Sequence, residues 1–124
     1  MQLIHSDAAP APIGPYSQGY TCKCGLVFLS GQLGCDPATG VLPDTIEAQA
    51  DLACKNVSSI LTSADIGFEQ VVKTTCFLAD MADFSAFNQV YAKYFVSKPA
   101  RSCVAVRQLP KGALCEIEVI AEKA

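Results

Sequence analysis

The stretch "ALCEIEVIA", Ala113–Ala121, alternates without a break. Leu114, Glu116, Glu118 and Ile120 fall on one side of an extended chain, and Cys115, Ile117, Val119 and Ala121 on the other, because successive strand side chains point to opposite faces. The second side is wholly apolar and suits helices lying on it; the first carries charge. The chain upstream supplies those helices. From Thr45 to about Ala64, the residues Ile46, Ala50, Ala53, Val57, Ile60, Leu61 and Ala64 recur at helical spacing. Asp44 stands at the N-cap position with Glu47 three residues on, a capping-box pattern, and Gly67 sits where a stop belongs. From Met81 to about Val96 a second helix carries the aromatic stripe Phe84, Phe87, Tyr91, Tyr94 and Phe95. That stripe reads as core packing against the sheet rather than as a ligand box, and Pro99 ends the helix's influence.

The other strands follow from β-branched and aromatic content. "LVFLSG", Leu26–Gly31, preceded by the turn signal "KCG", forms a hairpin with "YSQGYTC". "CDPATGVLPD" is a loop. In "QVVKTTCFLAD", Val72, Thr74, Cys76 and Leu78 point one way and Lys73, Thr75 and Phe77 the other. Arg101 to Arg107 alternates as Arg101, Cys103, Ala105 against Ser102, Val104, Val106, and the turn "LPKG" leads into Ala113–Ala121 as its neighbouring hairpin strand. The start, "HSDAAPAPIGPYSQG", runs extended. The order is ββ(loop)αβαββ: an α+β design of one sheet with two helices on one face. The open face meets water or another subunit, and Phe28 and Phe77 beside polar residues favour a subunit.

At 124 residues the chain holds one domain, residues 1–124. Apolar residues make up 51% and charged residues 17%, a composition that leaves a rather apolar surface and points to buried subunit contacts. Net charge is −3, sequence pI is about 4.9, and no basic run occurs, so the footprint of a nucleic-acid binder is missing. No window approaches the roughly 18 consecutive apolar residues of a membrane span. "MQLIHSDAAPAPIGP" does not have the layout of a secretory signal, which favours a cytoplasmic location. The seven cysteines are odd in number and irregular in spacing, without the paired CxxC or histidine partner of a zinc site. They read as small apolar side chains rather than a disulfide framework. His5, the sole histidine, lies in the extended start, so no Ser/His/Asp triad is available.

"PARSCV", Pro99–Val104, carries the chemistry. The planar guanidinium of Arg101 can grip a carboxylate with two parallel hydrogen bonds. Cys103 is two residues on and faces the same way. Glu116 faces out from the apolar layer of the next strand, so an arginine, a thiol and a carboxylate around one pocket would anchor an acid and position a water. A plain cross-strand ion pair is the competing reading, and Glu118 shares the face of Glu116, so the pattern leaves both matters open. Ser30 before Gly31 is either a strand end or a hydroxyl and an open N–H aimed at a ligand. Asn88 among the helix aromatics is solvated or bonded to local backbone on the ordinary reading. Tyr16 is ordinary packing or part of a pocket.

Five stretches in order carry a resemblance over nearly the full length: "IGPYSQG" (Ile13–Gly19), "LSGQLG" (Leu29–Gly34), "VVKTTCFLADMADFSAFNQVYAKYF" (Val71–Phe95), "PARSCV" (Pro99–Val104) and "LPKGALCEIEVIA" (Leu109–Ala121). The sequence resembles the reactive intermediate (imine) deaminase, or Rid, family. The resemblance implies a chorismate-mutase-like fold, a homotrimer whose sheets form a central β-barrel, and sites in clefts between subunits. It implies hydrolysis of 2-imino acids and 2-aminoacrylate to 2-keto acids and ammonia, with no metal or organic cofactor. Arg101 matches the arginine that binds the substrate carboxylate, Cys103 the cysteine lining the site, and Glu116 the carboxylate that holds or activates water. Tyr16, Ser30, Gly31 and Asn88 match pocket-lining positions. Family members outside the enzymatic branch act as 2-keto acid-binding regulators, chaperone-like proteins or ribonucleases that inhibit translation. One stretch departs from the pattern. Only "VSK" separates the second helix from "PARS", and Lys98 stands where many members have an aromatic, so this loop approaches Arg101 differently.

Overall fold

The computed structural model describes residues 2–123. Its elements are β1 (Gln2–Ile4), β2 (Gly19–Thr21), β3 (Leu26–Leu33), α1 (Ile46–Ser63), β4 (Val71–Leu78), α2 (Phe84–Tyr94), β5 (Ala100–Ala105) and β6 (Cys115–Glu122). One mixed sheet runs β1-β2-β3-β6-β4-β5, with only the β4–β5 pair parallel. Both helices pack against the apolar face, as the two-layer reading expects. The N-terminal strand β1 lies outside that reading: three residues give too little alternation to announce a strand, and its antiparallel pairing with β2 holds it in place.

The alternation of β6 holds throughout, with Cys115, Ile117, Val119 and Ala121 all buried. Against them lie Ala50, Ala53, Cys54, Val57, Ile60 and Leu61 of α1, none exposed at all. Small residues at 50, 53 and 54 let the helix approach closely, and the larger ones fill the space, each contributing about 2 kcal/mol when fully buried. Phe87, Val90 and Tyr91 of α2 complete the layer.

Several local expectations shift. Thr45, not Asp44, caps α1, its hydroxyl accepting from the Ala48 N–H at 3.1 Å. Glu47 therefore sits in the first turn, one position short of a capping box. The stop is Asp65, held in the left-handed conformation (φ 61°), with Ile66 N–H closing onto Leu61 O at 3.1 Å; Gly67 instead begins a single 3₁₀ turn. The second helix is split into a 3₁₀ turn, Met81–Asp83, and α2. In β4 a register irregularity between Val71 and Lys73 buries Val71 and turns Val72 outward at 42% exposure, so Val72 does not share the face of Thr74.

The largest correction concerns the last two strands. β5 and β6 do not form a hairpin. The crossover through α2 lays β5 parallel to β4 at the sheet edge, and β6 runs back between β3 and β4. The reason is burial: β6, wholly apolar on one side, gains most from a central place under both helices, whereas every residue of β5 keeps solvent contact in this chain. Lys111 and Gly112, consecutive at φ 58° and 65°, turn the connection out of the plane of a tight hairpin.

Buried amides tie the irregular segments to this frame. Gln18 accepts from Ser6 N–H at 2.6 Å and donates to Pro10 O at 2.9 Å, anchoring the proline-rich start; Asn56 donates to Leu33 O and Cys35 O, both at 3.0 Å. Where β3 leaves the sheet, a Cβ at Gly34 would lie 2.1 Å from the carbonyl oxygen of Gln49 and 2.7 Å from its backbone carbons, in the first half of α1. Backbone in a packed helix does not yield cheaply, so Gly34→Ala is expected to lower stability by about 3 kcal/mol, read as a shifted urea midpoint. An unshifted midpoint would mean that α1 is free to move.

Candidate functional site

Arg101 lies on the helix-facing side of β5, in register with Thr74. Its Nη1 donates to Asn88 Oδ1 at 2.8 Å, and its guanidinium carbon lies 4.7 Å from the centre of the Tyr91 ring and 5.6 Å from that of Phe84. Phe84, Asn88 and Tyr91 are spaced i, i+4, i+7 and so share one face of α2. Tyr91 is fixed in turn by a 2.7 Å hydrogen bond between its hydroxyl and that of buried Thr74. The arginine is thus held at one edge by an amide and over two π faces, an arrangement that keeps the charge in place without neutralising it. The ion pairs among the described residues are His5–Asp7 and Asp51–Lys55, so Arg101 has no carboxylate partner there. The cross-strand ion pair is therefore not formed. The aromatic stripe also supplies two rings to the guanidinium, and half-buried Asn88 bonds through Oδ1 to Arg101 rather than to local backbone.

Cys103 shares the face of Arg101, in register with Cys76. Burial pushes its thiol above the usual range while the nearby arginine pulls it down, and the net effect is upward. Cys103 is accordingly a half-buried thiol on the same strand face as Arg101, with its pKa shifted away from the thiolate. The seven cysteines are all free thiols, and Cys35, Cys54, Cys76 and Cys115 are buried as small apolar side chains.

Glu116 lies on the other face. Its register partner on β4 is Phe77, which pairs with Val104, whereas Arg101 and Cys103 pair with Thr74 and Cys76 and so face the helices. Residues in register across a sheet share a face. One copy of the chain therefore does not gather Arg101, Cys103 and Glu116 into one pocket. The expectation fails because it assumed that β5 and β6 were neighbours.

On the open face a cavity of about 540 Å³ is lined by Tyr16, Ser30, Gly31, Lys111, Glu116 and Glu118, among others. A bulge in β3 builds it: pairing with β6 slips between Leu29 and Gln32, leaving Ser30 and Gly31 out of register. A Cβ on Gly31 would lie 2.0 Å from Glu116 Oε2 and 3.0 Å from its Cγ, so glycine vacates the space that this carboxylate fills. Glu118 on the same face is exposed. Burial raises the pKa of Glu116 above the usual carboxylate range, and Glu118 adds to the rise. Ser30 neither ends a strand nor presents an open N–H: its hydroxyl donates to Ser17 O at 2.6 Å and its N–H to Gln18 O at 2.9 Å. It holds the segment that carries Tyr16, a cavity-lining residue that is 52% exposed. Lys111, a lining residue that motif reading did not single out, enters through the left-handed turn after Pro110, between the two turn-forming residues Pro110 and Gly112 of "LPKG".

The molecule thus carries two candidate clusters on opposite faces of its sheet. One is a preset cation with a thiol, held by α2; the other is a half-buried carboxylate in an open cavity.

Residues 6–123 match the family described as Endoribonuclease L-PSP. A regulator-named protein of Lactococcus lactis, AldR, is 49% identical over 98% of both chains. A protein of Capra hircus named 2-iminobutanoate/2-iminopropanoate deaminase is 48% identical, covering 97% of this chain and 88% of its own. Among solved structures, Escherichia coli TdcF with bound serine superposes with a TM-score of 0.95 at 38% identity, covering all of both chains. No helix among the described residues is long and apolar enough to cross a membrane.

Proposed function

The chain belongs to the Endoribonuclease L-PSP family, which includes the Rid proteins, and on that premise we propose that it hydrolyses 2-imino acids to 2-keto acids and ammonia. The observation that carries this reading is the Arg101 guanidinium, held by Asn88, Tyr91 and Phe84 and without an acid partner among the described residues. Such a cation suits a small carboxylate ligand. Relatives named as deaminases support the imine as the reacting group.

The two clusters are half-sites that meet when a second copy of the chain brings its open face to the β5 edge of the first. Exposed Phe28, Val72 and Val104 at 41%, 42% and 47% supply apolar surface for such a contact, and a ring of three is the arrangement the family resemblance implies. In that arrangement Arg101 of one copy fixes the substrate carboxylate, and with it the position of C2. Water held by Glu116 of the neighbouring copy gives up a proton as its oxygen bonds to C2. The Glu116 carboxyl passes that proton to the nitrogen to give the carbinolamine; the hydroxyl proton then reaches nitrogen by the same carboxylate, the C–N bond breaks, and ammonia leaves with the 2-keto acid. The enamine 2-aminoacrylate enters after tautomerising to the imine. Imines hydrolyse unaided, so positioning and charge complementarity suffice for the modest barrier.

The test is release of ammonia and keto acid from 2-iminopropanoate formed in situ, above the uncatalysed rate. Tight binding of 2-keto acids with no turnover would instead support a regulatory ligand binder, the function that the AldR name suggests for that relative. RNA cleavage is disfavoured by the −3 charge and the absence of a basic stripe.

Glu116→Gln keeps the shape and removes the base. The expected result is a fall in kcat of about 10²–10³ with a smaller change in KM. In the unsubstituted protein, kcat/KM is expected to decline as pH falls through the raised pKa of Glu116, because the protonated carboxyl cannot accept the proton of water. The residual activity of the variant should lack that acidic limb. An acidic limb unchanged in Glu116→Gln would assign the base to another group.

A further inference from the structure

Beside Arg101 opens a second cleft, about 350 Å³, lined by Tyr91, Phe95, Val96, Lys98, Pro99 and Arg101. The rings of Tyr91 and Phe95 stack with centres 4.3 Å apart and planes 16° apart, giving it an aromatic base. Lys98 is exposed and has a left-handed backbone, φ 54°, closed by its N–H donating to Phe95 O at 3.1 Å. A residue with a Cβ takes that conformation at a cost, and Pro99 after it stiffens the turn. The short connection from α2 to β5 therefore fixes the point from which this lysine leaves the chain. Lys98 makes no ion pair among the described residues, and neither does Arg101. Two cations share one cleft with no acid between them, so the cleft carries an excess positive charge that only a ligand or solvent ions can balance. A surface lysine on a convex face would have no such role; this one lines the same cavity as the carboxylate-binding arginine.

We propose that Lys98 makes this protein selective for 2-imino acids with a second, distal carboxylate. The inference rests on the imine-hydrolase reading. The α-carboxylate lies on Arg101, the carbon chain crosses the Tyr91–Phe95 base, and the ammonium of Lys98 receives the distal carboxylate. The chemistry is unchanged: water adds to the C=N carbon, ammonia leaves, and the product is a 2-keto diacid. A reaction that oxidises the amine of an acidic amino acid by two electrons, or eliminates a β-substituent from a β-substituted one, would supply the substrate.

The experiment compares kcat/KM for 2-iminosuccinate and 2-iminoglutarate with that for 2-iminobutanoate, each formed in situ by oxidation of the amino acid. The intact protein is expected to favour at least one diacid by about tenfold or more. That preference ratio should fall about tenfold in Lys98→Ala, invert in Lys98→Glu and survive in Lys98→Arg. It should also shrink as salt rises, since one exposed cation supplies it. Turnover of 2-iminobutanoate with no diacid preference, or with a preference that Lys98→Ala leaves intact, overturns this proposal and leaves imine hydrolysis standing. Absence of turnover on all three imines overturns both.

Discussion

Arg101→Ala is expected to lose imine hydrolysis by a factor of about 10²–10⁴ in kcat/KM while folding and assembling normally. The loss is large because the site is built around this one cation. Asn88, Tyr91, Phe84 and Thr74 form a chain of contacts whose end point is the orientation of the guanidinium. On the proposed reading, without it the substrate carboxylate has no fixed partner, and C2 is no longer held against the water. Folding is spared because β5 is an edge strand, Arg101 keeps contact with solvent, and no carboxylate is stranded when the charge goes. Its stacking on Tyr91 is a single half-buried contact worth about 1 kcal/mol, so the melting point should fall by no more than about 4–8 °C. Arg101→Lys keeps the charge and loses the planar two-point grip, so it should fall between the two. Retained activity in Arg101→Ala, in protein that melts within that range, would remove the carboxylate anchor and the functional reading built on it.

How far the sequence announces all this differs by element. β6 and α1 are plain in it, because each keeps one unbroken period and each is buried along that period. The pairing of β5 is not. Strand pattern specifies which side chains share a face, not which strand lies alongside, and the crossover helix that decides the neighbour acts over long range. The site divides the same way. That Arg101 and Cys103 share a face follows from a spacing of two residues. That Asn88 and Tyr91 hold the arginine was latent in the i, i+4, i+7 spacing from Phe84, hidden because a stripe of aromatics is read first as core. The bulge at Ser30–Gly31 has no local signature beyond a glycine in a strand, since it exists only against β6. The separation of Glu116 from Arg101 follows from the strand order alone.

That separation leads to the second large effect. Arg101→Ala and Glu116→Gln are each expected to be nearly inactive alone, yet a mixture assembled from equal amounts should recover activity. If each site takes its carboxylate from one copy and its arginine from the next around a closed ring, a working site needs an Arg101→Ala chain as carboxylate donor and a Glu116→Gln chain as arginine donor. Each choice has a probability of one half, so about one quarter of the sites are intact in the unselected mixture, and once the unmixed assemblies are removed every mixed ring of three carries one intact site in about three. Co-expression of the two variants under different tags, with purification through both, yields the mixed assembly, and its specific activity is compared with that of the unsubstituted protein. Opposite faces of one sheet cannot trade side chains, so recovery requires the half-sites to meet between copies. Mixed assemblies that stay as inactive as either parent would mean that Arg101 and Glu116 do not serve one shared site, and Glu116 would then lose its place in the reaction.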